Sequence, residues 1–205
     1  MTSNPPIKRG RKFAQVVEGA RKVFLCDGFE GASVDTIARS AGVSKATLYS
    51  YFPDKRLLFL EVAANECRVQ GEAAIRALDF NAAPRVFLTE AGRAIMSFLL
   101  SETGRSVFRI AIAESGRFPE LGRAFWESGP GMIERSLTRY IDLAEARGEL
   151  HATDKTLAAH QFAELCKAQI FPRLCLGLQQ DCSCAEQSHV LDEAVETWLA
   201  RYATV

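Results

Sequence analysis

Residues 33–55 read SVDTIARSAGVSKATLYSYFPDK, and their order predicts two short helices joined by a tight turn. Ser33 is a favourable N-cap for the first helix, whose apolar residues recur at three- and four-residue spacing. Gly42 follows that helix, at a position where the chain often needs a positive φ that glycine adopts freely. Ser44 is placed to cap a second helix over Lys45–Tyr51. The stretch therefore predicts a helix-turn-helix, a motif that docks on duplex DNA.

The second of these helices divides into an apolar side and a polar side. Leu48 and Phe52 are expected to face inward. Lysine, serine, threonine and tyrosine can donate hydrogen bonds to phosphates or base edges, and methyl groups can touch thymine. A helical hairpin with a merely polar outer face is the alternative interpretation. We expect the outward residues to contact DNA, and these are Lys45, Ala46, Thr47, Tyr49, Ser50 and Tyr51.

Positive charge is concentrated in the N-terminal part of the chain. The whole chain has 25 basic and 25 acidic residues, and this zero net charge taken alone argues against a nucleic-acid partner. Residues 1–56, however, contain ten Lys or Arg against five Asp or Glu. Because a local basic surface is what neutralises phosphates, this segregation favours DNA binding.

Residues 1–10 are expected to form a flexible basic arm ahead of the first helix. Lys8 and Arg9 lie there beside proline and glycine, and Arg11 and Lys12 follow directly. Such an arm can follow the DNA backbone or enter the minor groove. A solvated tail without DNA contacts is the alternative.

The rest of the chain shows helical spacing of apolar residues and no alternating strand pattern. Gly129, Pro130 and Gly131 are expected to kink or split one helix. We therefore predict an all-α fold. Outside the motif, the predicted helices cover 12–26, 54–78, 84–100, 105–113, 119–147, a stretch from a cap at 153 or 154 to about 176, and 185–202.

The segments TIARSA, GVSKATLYSYFPDK and LLFLEVA closely resemble the DNA-binding domain of TetR family transcriptional regulators, over roughly residues 11–62. The resemblance implies an all-α homodimer whose first three helices bind double-stranded operator DNA and whose larger C-terminal part binds a small effector. It places the six outward residues listed above at or near the major groove. It also implies phosphate contacts from Lys55 and Ser33, with Thr36 as a further candidate.

Residues 113–154, AESGRFPELGRAFWESGPGMIERSLTRYIDLAEARGELHATD, resemble the AefR-like C-terminal domain of one TetR branch. Together the two resemblances imply a basic arm over 1–10, a helix-turn-helix DNA-binding domain over 11–56, and an effector-binding and dimerisation domain over 57–205. The expected function is a ligand-responsive repressor that binds a pseudo-palindromic operator as a dimer and is released by a small apolar or aromatic effector. A thiol-responsive or activating regulator of the same fold is the alternative.

Aromatic residues in the C-terminal part are candidates for the lining of an effector pocket. Trp126 and Phe125, beside the break at Gly129, are the favoured wall. Ordinary core packing is the alternative for each aromatic residue, because aromatics at helical spacing usually fill space. Glu114 and His160 are further polar candidates. The expected pocket residues are Phe98, Phe108, Phe118, Phe125, Trp126 and Phe162, with Arg109 and Gln161 as polar groups that orient the ligand.

Dimerisation is expected because one helix-turn-helix makes few base contacts, and two copies gain affinity and specificity on successive major grooves. The last two predicted helices carry apolar stripes that can form a four-helix bundle with their symmetry mates, although part of each stripe must pack inside its own subunit. The expected interface residues are Phe171, Leu174, Leu191, Val195 and Trp198.

Several other classes of protein are disfavoured by the sequence. No apolar run approaches the ~20 residues that span a bilayer, and no apolar segment of signal-peptide type follows the basic N-terminus, so a cytoplasmic location without membrane contact is expected. His160 and Glu164 share a helix face but are too few to hold a metal. No phosphate-binding glycine loop or nucleophile elbow is visible, so neither a cofactor nor an enzyme is expected.

The six cysteines are expected to be reduced thiols. Cys182 and Cys184 lie in a polar loop beside the carboxylates of Asp181 and Glu186, which raise a thiol pKa and oppose reactivity. A redox sensor is therefore the less favoured interpretation of this loop.

Overall fold

The computed structural model describes residues 11–204, with the backbone alone at Arg11. The predicted arm over 1–10 lies outside the described residues, and so does the side chain of Arg11, so DNA contacts by the arm stay a prediction. All regular elements in the described range are helices, which confirms the all-α prediction. They are α1 Arg11–Gly31, α2 Val34–Ala41, α3 Lys45–Tyr51, α4 Lys55–Ala77, α5 Pro84–Leu99, α6 Glu102–Ser115, α7 Pro119–Ser128, α8 Pro130–Ala146, α9 Lys155–Leu165, α10 Ile170–Cys175 and α11 Cys184–Tyr202.

The predicted break near residue 129 is confirmed, since α7 ends at Ser128 and α8 begins with Pro130 at its first position. A proline fits there because the first helical N–H has no partner within the helix. The single helix predicted to run to about residue 176 is wrong. It is interrupted between α9 and α10, where Gln169 has φ 66°. No glycine or proline occurs between Leu165 and Ile170, so the sequence gives no local signal for this break.

The first helix is longer than predicted. It was expected to stop at Asp27 and Gly28, whereas α1 continues to Gly31. Gly28 does leave helical geometry, with φ 68°, so α1 is two helical pieces joined at a kink. The helical piece after the kink contains Phe29, whose backbone carbonyl accepts a hydrogen bond from Lys55.

The chain divides into two compact units. The first contains Met1–Glu66, of which residues 11–66 are described, together with Ser106–Phe125; the second contains Cys67–Arg105 and Trp126–Val205, described to residue 204. Helices α4, α6 and α7 therefore each contribute residues to both units. The sequence-based boundary between 56 and 57 stays a prediction.

The first unit has its own apolar core. α1 and α2 approach so closely that a Cβ on Gly19 would lie 2.6 Å from the Cα of Ala41. Glycine is therefore required at this contact, which sets how near α2 lies to α1. The buried side chains that hold α1 to α4 and the 106–125 segment together include Phe13, Val16, Ala20, Val23, Ile37, Leu48, Phe52, Leu58, Val107 and Ala111.

The second unit is built on α5, α8, α9 and α11. Tyr140 stacks on Phe87 with ring centroids 3.6 Å apart, and Trp198 donates from its indole nitrogen to the carbonyl of Ala158 at 2.8 Å. Burial raises the pKa of the Tyr140 hydroxyl to about 12. These contacts bury large aromatic side chains with their polar atoms paired, as a stable core requires.

The five residues predicted to form a dimer interface are buried within one chain. Each is 5% exposed or less, and four of them belong to the core of the second unit. They have little surface left to offer a partner, so the specific prediction for these side chains has to be revised. An apolar stripe shows only that a helix face is covered, and its spacing does not tell whether the cover comes from the same chain. The residues are Phe171, Leu174, Leu191, Val195 and Trp198.

Candidate DNA-binding surface and ligand cavity

The helix-turn-helix has the local structure that its sequence predicts. Ser33 Oγ accepts from the backbone N–H of Thr36 at 3.0 Å, and Ser44 Oγ accepts from that of Thr47 at 3.1 Å. Gly42 adopts φ 63° between the two helices. Both caps and the turn therefore come from the residues expected to supply them.

The polar side of α3 is open to solvent. Leu48 and Phe52 are each 1% exposed, which confirms that they face inward. Lys45, Ala46, Tyr49 and Ser50 are exposed, while Thr47 and Tyr51 are half-buried. Tyr51 packs edge-on against Phe13 with ring centroids 5.9 Å apart. Its ring thus belongs partly to the core of the first unit.

The lysines predicted to contact DNA both have partners in the structure. Lys45 pairs with Asp35 of α2 at 2.5 Å, and both side chains are more than half exposed. Lys55 donates to the carbonyl oxygens of Phe29 and Ala32 at 2.8 and 3.0 Å. Its ammonium also lies 4.4 Å from the centroid of the Phe29 ring. Lys55 therefore ties the start of α4 to the end of α1, a role that the sequence pattern did not reveal.

A second cluster of charges joins α4 to the end of α6 within the same unit. Arg56 donates to the carboxylate of Glu114 at 2.5 Å and to both carboxylate oxygens of Asp54. The hydrogen bonds from Arg56 lower the pKa of Asp54 and raise that of Arg56. Glu114 is only 6% exposed. It was expected to orient a ligand, and the structure pairs it with Arg56.

The second unit contains a cavity of about 330 Å³ between α4, α5, the loop after α5, and the α7–α8 junction. This is within the usual range for small-molecule sites. Its lining is Cys67, Gln70, Gly71, Ala74, Ile75, Leu78, Ala91, Ala94, Ile95, Ser97, Phe98, Leu99, Ser101, Ser128, Gly129, Met132, Ile133, Ser136 and Leu137.

Phe98 lines this cavity, whereas the other seven predicted pocket residues lie elsewhere. Phe108, Arg109, Phe118 and Phe125 belong to the first unit. Trp126 is about half exposed, with its ring centroid 5.6 Å from that of His160. Phe162 is fully buried in the core of the second unit, and Gln161 accepts a hydrogen bond from the Tyr202 hydroxyl. Small and aliphatic residues form most of the lining, and their spacing looks like ordinary core.

Among the described residues, no cluster of three or more His, Cys, Asp and Glu side chains is arranged to hold a metal ion. Burial raises the pKa of the Cys166 thiol to about 12. Burial, followed by the charge of Glu186, also raises the pKa of Cys182. Both shifts oppose formation of the reactive thiolate. Within the described part of the chain, no helix is both long and apolar enough to cross a membrane.

Two family models match the chain. Residues 16–62 match the model described as bacterial regulatory proteins, tetR family, and residues 87–204 match the AefR-like transcriptional repressor, C-terminal domain. The first match contains the helix-turn-helix, and the second contains most of the second unit.

Curated relatives and solved structures agree with these matches. The HTH-type transcriptional repressor AcnR of Corynebacterium diphtheriae is 32% identical over 72 residues, which are 35% of this chain and 37% of that protein. The chain thus matches little more than a third of the length of this curated relative. The flavonoid-responsive regulator FrrA is 33% identical, with a TM-score of 0.66 over 95% of this chain and 98% of that one. A putative TetR-family regulator from Mesorhizobium loti is 25% identical, with a TM-score of 0.72 over 95% and 98%.

Proposed function

The chain belongs to the TetR family of DNA-binding transcriptional regulators, and we propose that it is a repressor that leaves its operator when a small molecule occupies the cavity of the second unit. The observation that carries the DNA-binding part is the exposed polar side of α3, mounted on a buried apolar side. Members of this family are regulators, not enzymes.

We propose that α3 reads bases while its neighbours contact phosphates. The exposed Lys45 and Tyr49 project from α3, where they can reach base edges or backbone oxygens. Lys45 would exchange Asp35 for phosphate, and this costs little because the ion pair is exposed. Ser33 and Thr36, at the start of α2, supply hydroxyl groups 2.8 Å apart on the exposed surface.

A homodimer on a pseudo-palindromic operator is part of the proposal. α3 has seven residues and spans few base pairs, so two copies about 34–36 Å apart are needed for specificity. Because the predicted interface side chains are buried, the partner contacts would come from outward residues of the same helices. Leu157 on α9 and Leu176 after α10 are 50% and 73% exposed and are the apolar candidates.

The proposed effector is a small apolar or aromatic molecule. The cavity is lined mainly by aliphatic side chains with Phe98 among them. The relative FrrA, 33% identical over nearly the whole chain, is named as flavonoid-responsive. A flavonoid-like ring system is therefore a reasonable first ligand to test on this chain.

Two continuous helices connect the cavity with the DNA-binding unit along the chain. α4 carries Arg56 in its first turn and cavity residues from Cys67 onward. α6 begins after Ser101, which lines the cavity, and carries Glu114 near its end. A ligand that binds one arrangement of these helices better than the other would shift the dimer toward a form that does not fit the operator.

The proposal can be tested with DNA that the protein itself selects from a random-sequence pool. We expect a pseudo-palindromic site that binds two chains, and release of the protein when flavone is added. A selected site without two-fold symmetry, bound by one chain, would contradict the dimeric operator. An activator would also bind such a site, and a reporter gene placed behind it distinguishes activation from repression. Addition of an oxidant under the same conditions tests the thiol-responsive alternative, which the raised thiol pKa values disfavour.

A further inference from the structure

We propose that the cavity accepts uncharged ligands and rejects the same molecular skeleton once it carries a negative charge. This inference rests on the proposed function, in which the cavity is the effector site. It specifies the ligand beyond its apolar character, because an apolar skeleton with one anionic group would be excluded.

The lining lacks the side-chain types that are ordinarily charged at neutral pH. The lining contains no Asp, Glu, Lys, Arg or His, and its one ionisable group is the Cys67 thiol. Two ion pairs on α4 and α8 involve charged side chains that do not line the cavity. Arg68 donates to Glu72 at 3.1 Å on the exposed side of α4, and Glu134 of α8 bonds His160 at 2.9 Å.

Helix N-termini could in principle stabilise an anion, and α6 and α8 both begin beside the cavity. Some of their first-turn amides, however, are already in use. The amides of Met132 and Ile133 donate to the Gly129 carbonyl, and Pro130 has no N–H. At α6, the amide of Gly104 donates to Ser101 Oγ at 3.0 Å. These bonds reduce the number of amide donors that either helix start can offer to an anion.

An ionised group held in the enclosed part of this cavity would lose hydration, and the lining offers it no oppositely charged side chain. Removal of an ionised group from water is costly unless the protein pairs it. A neutral hydroxyl or carbonyl group has a much smaller penalty, and one hydrogen bond can offset it. Ser136 lines the cavity, and its buried Oγ has no hydrogen-bond partner among the described residues. A turn of this side chain would direct the hydroxyl toward a ligand oxygen.

Gly71 of α4 and Met132 of α8 lie close together on the lining of the cavity. A Cβ on Gly71 would lie 2.5 Å from the terminal methyl carbon of Met132. Met132 is flexible, so a larger residue at 71 would push its end aside and change the free space. The glycine thus keeps room in the cavity.

A matched pair of fluorescent probes tests the charge rule directly. N-phenyl-1-naphthylamine is neutral, and 1-anilinonaphthalene-8-sulfonate has the same skeleton with one sulfonate. We expect the neutral probe to bind saturably and at least about 100-fold more tightly than the sulfonate. Two adjacent positions on α4 provide the control variants: Ala74 lines the cavity, whereas Ala73 is exposed and does not. Ala74→Trp should abolish binding of the neutral probe, and Ala73→Trp should leave it unchanged.

A second variant remains informative if Ala74→Trp fails to fold. Ala94 lines the cavity and is half-buried. Ala94→Arg should bring in the missing positive charge and shift the preference toward the sulfonate by about tenfold or more.

Equal affinities for the two probes at a site lost in Ala74→Trp would overturn the charge rule. So would an unchanged preference in a folded Ala94→Arg protein. Whether ligand binding changes operator affinity is a separate question from whether the cavity rejects negatively charged ligands. If neutral ligands fill the cavity without any change in operator affinity, the proposed function fails while the charge rule stands.

Discussion

The guanidinium of Arg56 donates a 2.5 Å hydrogen bond to the buried carboxylate of Glu114, 58 residues further along the chain. Arg56 lies in the first turn of α4, five residues after the end of α3, and Glu114 lies in the last turn of α6. An acidic side chain near a helix C-terminus is unfavourable, and burial adds to the cost. The pair therefore links the start of α4 to the end of α6.

Substitution of Arg56 and substitution of Glu114 should lower the free energy of unfolding by different amounts. Arg56→Met leaves the Glu114 carboxylate buried without its cation, so it should destabilise the fold more than Glu114→Gln, which removes the charge. For Glu114→Gln we expect a decrease of about 1 kcal/mol in the free energy of unfolding, because the amide oxygen still accepts a hydrogen bond. Urea denaturation measures both.

The matched control for this pair is Arg21, which donates to Glu66 at 2.6 Å in the same unit. Glu66 is more exposed than Glu114, so Arg21→Met should be the milder of the two arginine variants. A larger loss of stability for Arg21→Met than for Arg56→Met would show that burial of Glu114 does not determine the effect.

Substitution of Tyr49 tests whether the exposed side of α3 contacts DNA. Its side chain is 47% exposed, and no role in the core explains its presence. Tyr49→Ala should weaken binding to the selected operator by about tenfold and leave the thermal midpoint nearly unchanged. Fluorescence anisotropy with labelled duplex gives the affinity. Leu25→Ala on α1, 59% exposed in the same unit, is the control and should bind like the unaltered chain.

Substitution of Lys55 and of Lys45 should distinguish a lysine that stabilises the fold from a lysine that contacts phosphate. Lys55→Met removes two hydrogen bonds to backbone carbonyls and should lower the free energy of unfolding by about 1–2 kcal/mol. Lys45→Met breaks only an exposed ion pair and should change stability by less than about 0.5 kcal/mol. It should instead reduce the slope of log affinity against log salt by about 1. Equal stability of the two variants would remove the structural role assigned to Lys55.

Substitution of Gly19 tests whether the close approach of α1 and α2 is needed for stability and for operator binding. Gly19→Ala places a methyl group 2.6 Å from the backbone of Ala41, which has no flexible end to move aside. We expect a loss of about 2 kcal/mol in stability and weaker operator binding, because α2 must shift. Gly116→Ala is the control, since a Cβ there meets nothing within 4 Å. Thermal unfolding followed by circular dichroism compares the two, and equal midpoints would show that α1 and α2 separate at no cost.

The helix-turn-helix was predictable because its signals are local. Ser33, Gly42 and Ser44 specify caps and a turn whatever the rest of the chain does, and the structure places each in that role. The split at residue 129 was predictable for the same reason, since proline and glycine act on their own backbone.

The cavity and the interface were less accessible from the sequence because they depend on which helices meet. Phe162 and Phe98 both occur at helical spacing, yet the first is core and the second lines the cavity. Trp198 has the apolar spacing of an interface residue and is buried within its own chain. The Arg56–Glu114 pair joins positions far apart in sequence, so the sequence around either residue does not indicate its partner.

A ligand in the cavity is proposed to control operator binding. The clearest test measures the effect of the ligand on operator affinity in a variant whose cavity is filled. The affinity for the selected operator is measured with and without saturating flavone, for the unaltered chain, Ala74→Trp and Ala73→Trp. We predict that flavone weakens operator binding by about tenfold or more in the unaltered chain and in Ala73→Trp, and has no effect in a folded Ala74→Trp protein. The same flavone effect in all three proteins would contradict control through this cavity.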